Sequence, residues 1–293
     1  MAVDVAEFTA LRPLLFSVAY RMLGSASDAE DVVQEAWLRY ARSAAGVRDV
    51  RAWLVRATTR LCLDELRSAR VRRELYVGPW LPEPVLTGAE AGDPLALVER
   101  RELLSLGALT LLERLSPAER AVLVLREAVG LSHAEIAAAA GLTEASSRQL
   151  LSRARRRLAG EHARAAPPAG APARLVAALR RAFDDGDLRA LVDLLREDMV
   201  LVGDGGGEVL TARRPILGRE RVLRFVHGVR GKAPPGLGAM VVEVNGEPAL
   251  LIHEAGQPVH IGTVVVDGDG RAAQLLLVSA PRKLAYARRQ AAR

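Results

Sequence analysis

Gln149, Ser152 and Arg156 recur at three- and four-residue intervals in "EASSRQLLSRARRRLAG", flanked by Arg148, Arg153 and Arg155. On a helix that spacing sets these three, with Ala145, on one outward face. Gln and Arg can hydrogen-bond base edges in a DNA major groove, while Ser152 and the flanking arginines suit phosphates; Ser146, at the helix start, is placed with them. The chemistry is nucleic-acid recognition, and a basic surface helix without a target is the plainer alternative. A second basic stripe, Arg56, Arg60, Arg67 and Arg70, runs through "DVRAWLVRATTRLCLDELRSARVRRE" and also suits phosphate contact. Asp64 follows Arg60 by four residues, so an ordinary exposed ion pair is an alternative there.

Acid–base chemistry has weaker support. Asp204, His227, His253 and His260 could serve as acids or bases in a pocket, but they share no fixed spacing. "DGGG" at 204–207 could cradle an anion, yet it lacks the glycine–lysine pattern of a phosphate loop and is more simply a tight turn. Cys62 is the single cysteine, so no zinc spacing and no internal disulfide exist. No catalytic residue, metal or cofactor is expected.

These side chains need helices to position them. Ser116-Pro117 with Glu119, and Ser132 with Glu135, carry the capping-box pattern, while Gly141 and Thr143 mark a helix end and the next start. A short alanine-rich helix, a glycine-bearing turn and a longer basic helix make a helix-turn-helix, with Ser147, Leu150, Leu151, Ala154 and Leu158 inward. Upstream, Ser27 and Glu30 predict a helix starting at Asp28, with Val33, Ala36, Trp37 and Tyr40 on its apolar face. Asp31, Gln34, Glu35 and Leu38 form a second, acidic face with one exposed aliphatic. In the following helix Val50, Trp53, Leu54, Ala57 and Leu61 are expected inward.

The 293 residues carry 41 Lys+Arg against 35 Asp+Glu, a net charge of +6 that favours a polyanionic partner. Segment 143–166 holds six arginines and two acids, so the excess is concentrated beside the helix-turn-helix. "MAVDVAEFTA" lacks a basic region followed by an apolar stretch, and no aliphatic run could span a bilayer; a cytoplasmic protein without membrane contact is expected. Two proline-rich straps divide the chain. The expected domains are 1–77, a linker at 78–94, a helix-turn-helix domain at 95–165, a linker at 166–172 and a domain at 173–293. The last opens with helices and a short strand, "MVLVGD". It then turns to apolar runs separated by Asn-Gly, Ala-Gly and Asp-Gly, the pattern of an antiparallel meander.

"DAEDVVQEAWLRY", "AWLVRATTRLCLDELRSAR" and "LSPAERAVLVLREAVGLSHAEIAAAAG" with "SSRQLLSRARRRL" together resemble bacterial sigma factors of the extracytoplasmic-function (ECF) class, in family order over about 1–160. The resemblance implies two all-α sigma domains followed by an α+β NTF2-like/SnoaL-like domain. It implies that Asp28, Asp31, Gln34, Glu35 and Leu38 dock on the β′ clamp helices of the RNA polymerase core. It further implies that the helix from Trp53 to Arg70, with Arg56, Arg60, Asp64 and Arg67, holds the melted minus-ten element. The face around Gln149 would read the minus-thirty-five element. Trp80-Leu81-Pro82-Glu83-Pro84 resembles the W-L-P-E-P linker of the subgroup with a fused SnoaL-like domain. Asp204-Gly205-Gly206-Gly207 resembles that subgroup's D-G-G-G-K element, with Glu208 in place of lysine. Ala280-Pro281-Arg282-Lys283-Leu284 resembles N-P-D-K-L, with Ala and Arg replacing Asn and Asp. Contact between strap and glycine turn, with the attached domain replacing a separate anti-sigma factor, is the implied regulation; any pocket ligand is unspecified. A ligand-responsive DNA-binding regulator acting without polymerase, and a cyclase or isomerase with a DNA-binding appendage, remain open at this level.

Overall fold

The computed structural model describes residues 5–43, 47–74, 76–88, 104–162, 167–209, 211–231 and 234–292. They form two compact units: the described residues of 5–74 and 109–162 in one, and those of 76–88, 104–108 and 167–292 in the other. The strap that follows the first helical block therefore groups with the C-terminal unit.

The helical unit contains α1 (Val5–Leu23), α2 (Ala26–Ser43), α3 (Val50–Glu74), α5 (Pro117–Glu127), α6 (His133–Ala140) and α7 (Glu144–His162); α4 (Leu106–Leu112) spans the boundary between units. The capping chemistry around the helix-turn-helix follows the sequence pattern. Ser116 and Glu119 cap α5 reciprocally, Ser132 and Glu135 do so for α6, and Gly141 closes α6 at φ 70°. Thr143 Oγ1 accepts the Ser146 N–H at 3.1 Å to open α7.

Two expectations need correction. Helix α2 starts at Ala26 rather than Asp28, with Ser25 Oγ accepting the Asp28 N–H at 3.1 Å. The earlier start places Ala26 and Ala29 in one buried seam with Val32, Val33, Ala36 and Tyr40. In α3, Leu54 is buried as expected, but Val50, Trp53, Ala57 and Leu61 are only half-buried, and Val55, Thr58, Thr59, Cys62 and Leu66 are buried instead. Helix α3 packs on α1 and α2 and also on α5 and α6, so burial extends beyond one stripe. Between α1 and α5, Arg120 is 2% exposed. It donates to the Met22 carbonyl at 2.7 Å and to Glu113 at 3.0 Å.

The C-terminal unit runs α8 (Ala171–Asp184), α9 (Arg189–Val192), β1 (Leu195–Asp204), β2 (Ile216–Leu217), α10 (Arg219–Gly231), β3 (Leu237–Val244), β4 (Glu247–Glu254), β5 (Gln257–Val266), β6 (Ala272–Val278) and α11 (Pro281–Ala291). Strands β3–β6 form the expected antiparallel meander. Strand β1 joins its far edge parallel to β6, giving a mixed sheet of order β2-β1-β6-β5-β4-β3. Alternation splits the strands between two cores. Leu250, Ile252, Val264, Val266 and Leu275 pack with Leu175, Val176 and Leu179 of α8. Ala249, Leu251, Ile261, Leu276 and Val278 pack with Leu284 and Ala287 of α11, and with Leu81 of the strap. Burial on both faces explains the near-continuous apolar runs of the sequence.

Two hairpins use turns with positive φ at both central residues, Asn245-Gly246 (54°, 76°) and Ala255-Gly256 (47°, 79°). Asparagine tolerates that region and alanine does not. Replacing Ala255 by glycine should stabilise the C-terminal unit by on the order of 1 kcal/mol, read from its denaturant midpoint. An unchanged or lower midpoint would contradict the strain.

Candidate functional site

Helix α7 presents the face inferred from its sequence. Ser147, Leu151, Ala154 and Leu158 are buried and Leu150 half-buried, whereas Ala145, Gln149, Ser152 and Arg156 are exposed. Alanine lets α6 approach closely: Ile136, Ala137 and Ala139 are buried, and His133 Nδ1 lies 2.9 Å from Ser147 Oγ, tying α6 to α7. Ser146 is half-buried and spends its N–H on the cap. Arg148 pairs with Glu144 at 3.1 Å and Arg155 with Glu127 at 2.6 Å, both in the open. Such pairs are worth about 0–1 kcal/mol and yield readily to phosphate. Among the described residues no carboxylate pairs with Arg153 or Arg156.

On α3, Arg56, Arg60, Asp64 and Arg67 are exposed, while the Arg70 side chain lies outside the described residues. Asp64 pairs at 2.8 Å with Arg67, one turn after it, rather than with Arg60, one turn before it, as its spacing suggested. Trp53 belongs to packing rather than to the basic stripe: its ring sits 5.8 Å from that of Tyr40, which continues to Trp37 and Phe8. On α2, Asp31 and Gln34 are exposed and Leu38 is 40% exposed, while Asp28 and Glu35 are half-buried. Glu35 is engaged by Arg39 at 2.7 Å.

The strap at 76–88 is built into the C-terminal unit. Leu81 is fully buried, with Pro82, Pro84 and Val85 also buried and Trp80 and Glu83 half-buried. Asp204, at the end of β1, is fully buried and organises the contact. One carboxylate oxygen accepts the Tyr76 hydroxyl and, at 3.2 Å, the Gly206 N–H. The other accepts the Leu81 N–H at 2.7 Å and pairs with Lys283 at 2.7 Å. Lys283 Nζ also donates to the Leu81 carbonyl and lies 3.4 Å from the Trp80 ring centroid, a cation–π contact. Burial, then the bond to Asp204, holds the Tyr76 phenol far above its ordinary range. Gly207, at φ 77°, passes so close to Val77 that a side chain there would collide, and Gly206, at φ 64°, leaves little room for one beside the Tyr76 hydroxyl. Gly205 instead faces Val209 and Thr211, so it shapes the turn without touching the strap.

Further along, Asn245 exchanges bonds with Val85, its N–H to the Val85 carbonyl at 2.9 Å and its Oδ1 to the Val85 N–H at 3.0 Å. Gln290 brackets Leu86 with its side-chain amide alone, Oε1 accepting the Leu86 N–H at 2.9 Å and Nε2 donating to the Leu86 carbonyl at 3.0 Å. Tyr76, Lys283, Asn245 and Gln290 are thus clasp residues that sequence reasoning did not assign. Of the three departures from the subgroup motifs, the two that change charge face each other: Glu208 and Arg282 lie 3.3 Å apart, so acid and base have exchanged places.

Models of two families match the chain: Sigma-70 region 2 over residues 8–72 and Sigma-70 region 4 over residues 106–158. The ECF RNA polymerase sigma factor SigJ of Mycobacterium tuberculosis is 42% identical over 291 residues, covering 96% of this chain and 93% of that protein. The chain belongs to the ECF RNA polymerase sigma factors. The M. tuberculosis protein SigI is 35% identical over 278 residues, covering 86% of this chain and 93% of its own. The crystal structure of M. tuberculosis SigJ superposes with a TM-score of 0.77 at 38% identity, covering 96% of this chain and 98% of the other. As a member of its family this sigma factor binds core RNA polymerase and recognises promoter DNA, with region 2 spanning α1–α3 and region 4 spanning the helix-turn-helix. No helix among the described residues is long and apolar enough to cross a membrane.

The acid–base candidates of the sigma factor do not converge. Asp204 is consumed by the clasp, His227 is exposed on α10, and His253 lies against Gly238 of the neighbouring strand. His260 Nδ1 lies 2.7 Å from Ser279 Oγ, and burial holds the imidazole below its ordinary range. The unfolded chain, with a pKa of about 6.5, therefore takes this proton first. The neutral ring's contribution is complete above that value and is lost as pH falls through it toward the folded-state pKa. Between about pH 7.5 and 5.5 the His260→Asn variant should lose less stability than the parent, measured by urea midpoints. Equal losses would remove His260 as the source.

Proposed function

We propose that this sigma factor docks on core polymerase through Asp28, Asp31, Gln34, Glu35 and Leu38 of α2. The exposed α3 residues, Arg56, Arg60 and Arg67 with Asp64 and Arg70, hold the melted downstream element, with Trp53 supporting the helix from within. The α7 face of Ser146, Arg148, Gln149, Ser152, Arg153, Arg155 and Arg156 takes the upstream element. The C-terminal unit modulates this activity through the clasp and stands in for a separate anti-sigma factor, in the cytoplasm where the polymerase works.

The carrying observation is the buried Asp204–Lys283 pair closed around the backbone of Leu81, inside the segment joining the two DNA-reading modules. A strap held by core packing and a buried ion pair has a fixed path, so it limits how far the modules on either side can separate. Separation matters because the minus-ten and minus-thirty-five elements lie about 25 base pairs apart, on the order of 85 Å of duplex. Helix α3 packs on α6 within the helical unit, and Arg120 bridges α5 to the end of α1. That packing suits a resting state from which the modules must part.

Core docking is tested by co-elution with purified core polymerase on a sizing column. The parent should form a stable complex, and the Asp31→Ala, Leu38→Ala double variant should bind at least about tenfold more weakly, as loss of a central anchor does. A parent protein that never joins the core would overturn the reading.

A further inference from the structure

A groove of about 410 Å³ lies on the C-terminal unit, away from the clasp, lined by Arg174, Ala177 and Arg181 of α8, Asp193 beyond α9, and Asp269 to Arg271 of the β5–β6 hairpin. Residues 174, 177 and 181 fall on one helical face, so two guanidiniums flank a small floor. Arg271 approaches from the hairpin. The hairpin is pre-set: Asp267, buried, accepts the N–H groups of Asp269 and Arg271 at 3.1 and 2.9 Å and pairs with Arg196 at 3.1 Å. Burial opposes the charge on Asp267, but the Arg271 N–H and the Arg196 guanidinium outweigh it and hold the carboxyl below its usual range. Gly270, at φ 79°, lets the turn lie beside Arg174, whose Nη2 would be 3.6 Å from any added Cβ.

Among the described residues none of these three guanidiniums lies within ion-pair distance of a carboxylate, although Arg181 acts on Asp187 through its charge and Asp193 and Asp269 line the same groove. Three open guanidiniums suit the oxygens of one phosphate. Two open carboxylates suit donated hydroxyls and would repel a continuous phosphate backbone, which disfavours duplex DNA as the occupant. The volume matches a small ligand. The geometry points to a site for a small phosphorylated polyol, such as a pentose or hexose phosphate. The site stands on this unit alone and does not depend on the clasp.

The test is calorimetric titration of the full-length protein with ribose 5-phosphate, inorganic phosphate and ribose. Ribose 5-phosphate should bind with Kd of about 1 mM or tighter, at least about tenfold better than either part. The Arg181→Ala, Arg271→Ala double variant should lose at least about tenfold in affinity, while Arg221→Ala with Arg224→Ala, exposed on α10, leaves binding unchanged. The Asp193→Ala, Asp269→Ala pair should bring ribose 5-phosphate down to the level of inorganic phosphate. No binding of ribose 5-phosphate at about 10 mM, or an equal loss in the α10 control, overturns the proposal. So does a groove variant that weakens non-specific duplex binding while ribose 5-phosphate binding stays intact.

Discussion

Replacing Asp204 by alanine should destabilise the C-terminal unit by about 3–5 kcal/mol, because it leaves the Lys283 ammonium buried without its counter-charge. The same change removes the acceptor for the Leu81 N–H and the Tyr76 hydroxyl, so the strap loosens while its apolar contacts remain. Pairing Asp204→Ala with Lys283→Met should recover part of the loss, since an apolar stem can stay against Trp80 without a stranded charge. Denaturant midpoints of the two single variants and the double variant form the cycle. Hydrogen exchange at Leu81, Val85 and Leu86, which donate to Asp204, Asn245 and Gln290, should accelerate in Asp204→Ala ahead of the sheet. A loss below about 1 kcal/mol, or uniform exchange, would mean that apolar burial of Leu81 alone holds the strap.

The second large effect belongs to α7. Each well-placed bidentate contact to a base contributes about 1–3 kcal/mol of discrimination, so Gln149→Ala with Arg156→Ala should erase preference for the upstream element. Affinity for a matched promoter should fall by roughly a hundredfold or more, while that for duplex of unrelated sequence falls far less. Arg153→Ala, by contrast, should weaken both duplexes similarly and lower the salt dependence by about one phosphate contact. Anisotropy titrations at two salt concentrations separate these outcomes. Equal losses on matched and unrelated duplex from the Gln149, Arg156 change would place the reading residues elsewhere.

Much of this was legible because short-range chemistry dictates it. The boxes at Ser116 and Ser132, the stop at Gly141 and the inward residues of α7 depend on neighbours within about one turn. Asn245-Gly246 announces its hairpin for the same reason. What escaped depends on distant partners. Ser25 outcompetes Ser27 as the cap because an earlier start buries Ala26 and Ala29, a tertiary gain that local spacing cannot carry. Spacing turns Trp53 inward, but its partner Tyr40, on the preceding helix, shows only in the structure. Asn245 looks like a turn residue and nothing more, yet its backbone N–H and side-chain Oδ1 also bracket Val85, 160 positions away. Lys283 offered one clue, being one of only two lysines in an arginine-rich chain. Arginine's broad planar fork would not fit between Asp204, the Leu81 carbonyl and the Trp80 face as a compact ammonium does. The exchanged pair Glu208–Arg282 carries a similar lesson: two departures that each alter charge at a motif cancel once they are 3.3 Å apart.

The most direct test is run-off transcription with purified core polymerase on a template carrying a promoter this sigma factor selects, comparing the parent with the Asp204→Ala variant. The account predicts a transcript that requires both core and sigma factor, with a yield at least about fivefold different once the clasp is opened, a shift near 1 kcal/mol. Equal yields from both proteins would contradict control through the strap, and no factor-dependent transcript from either would contradict the account as a whole.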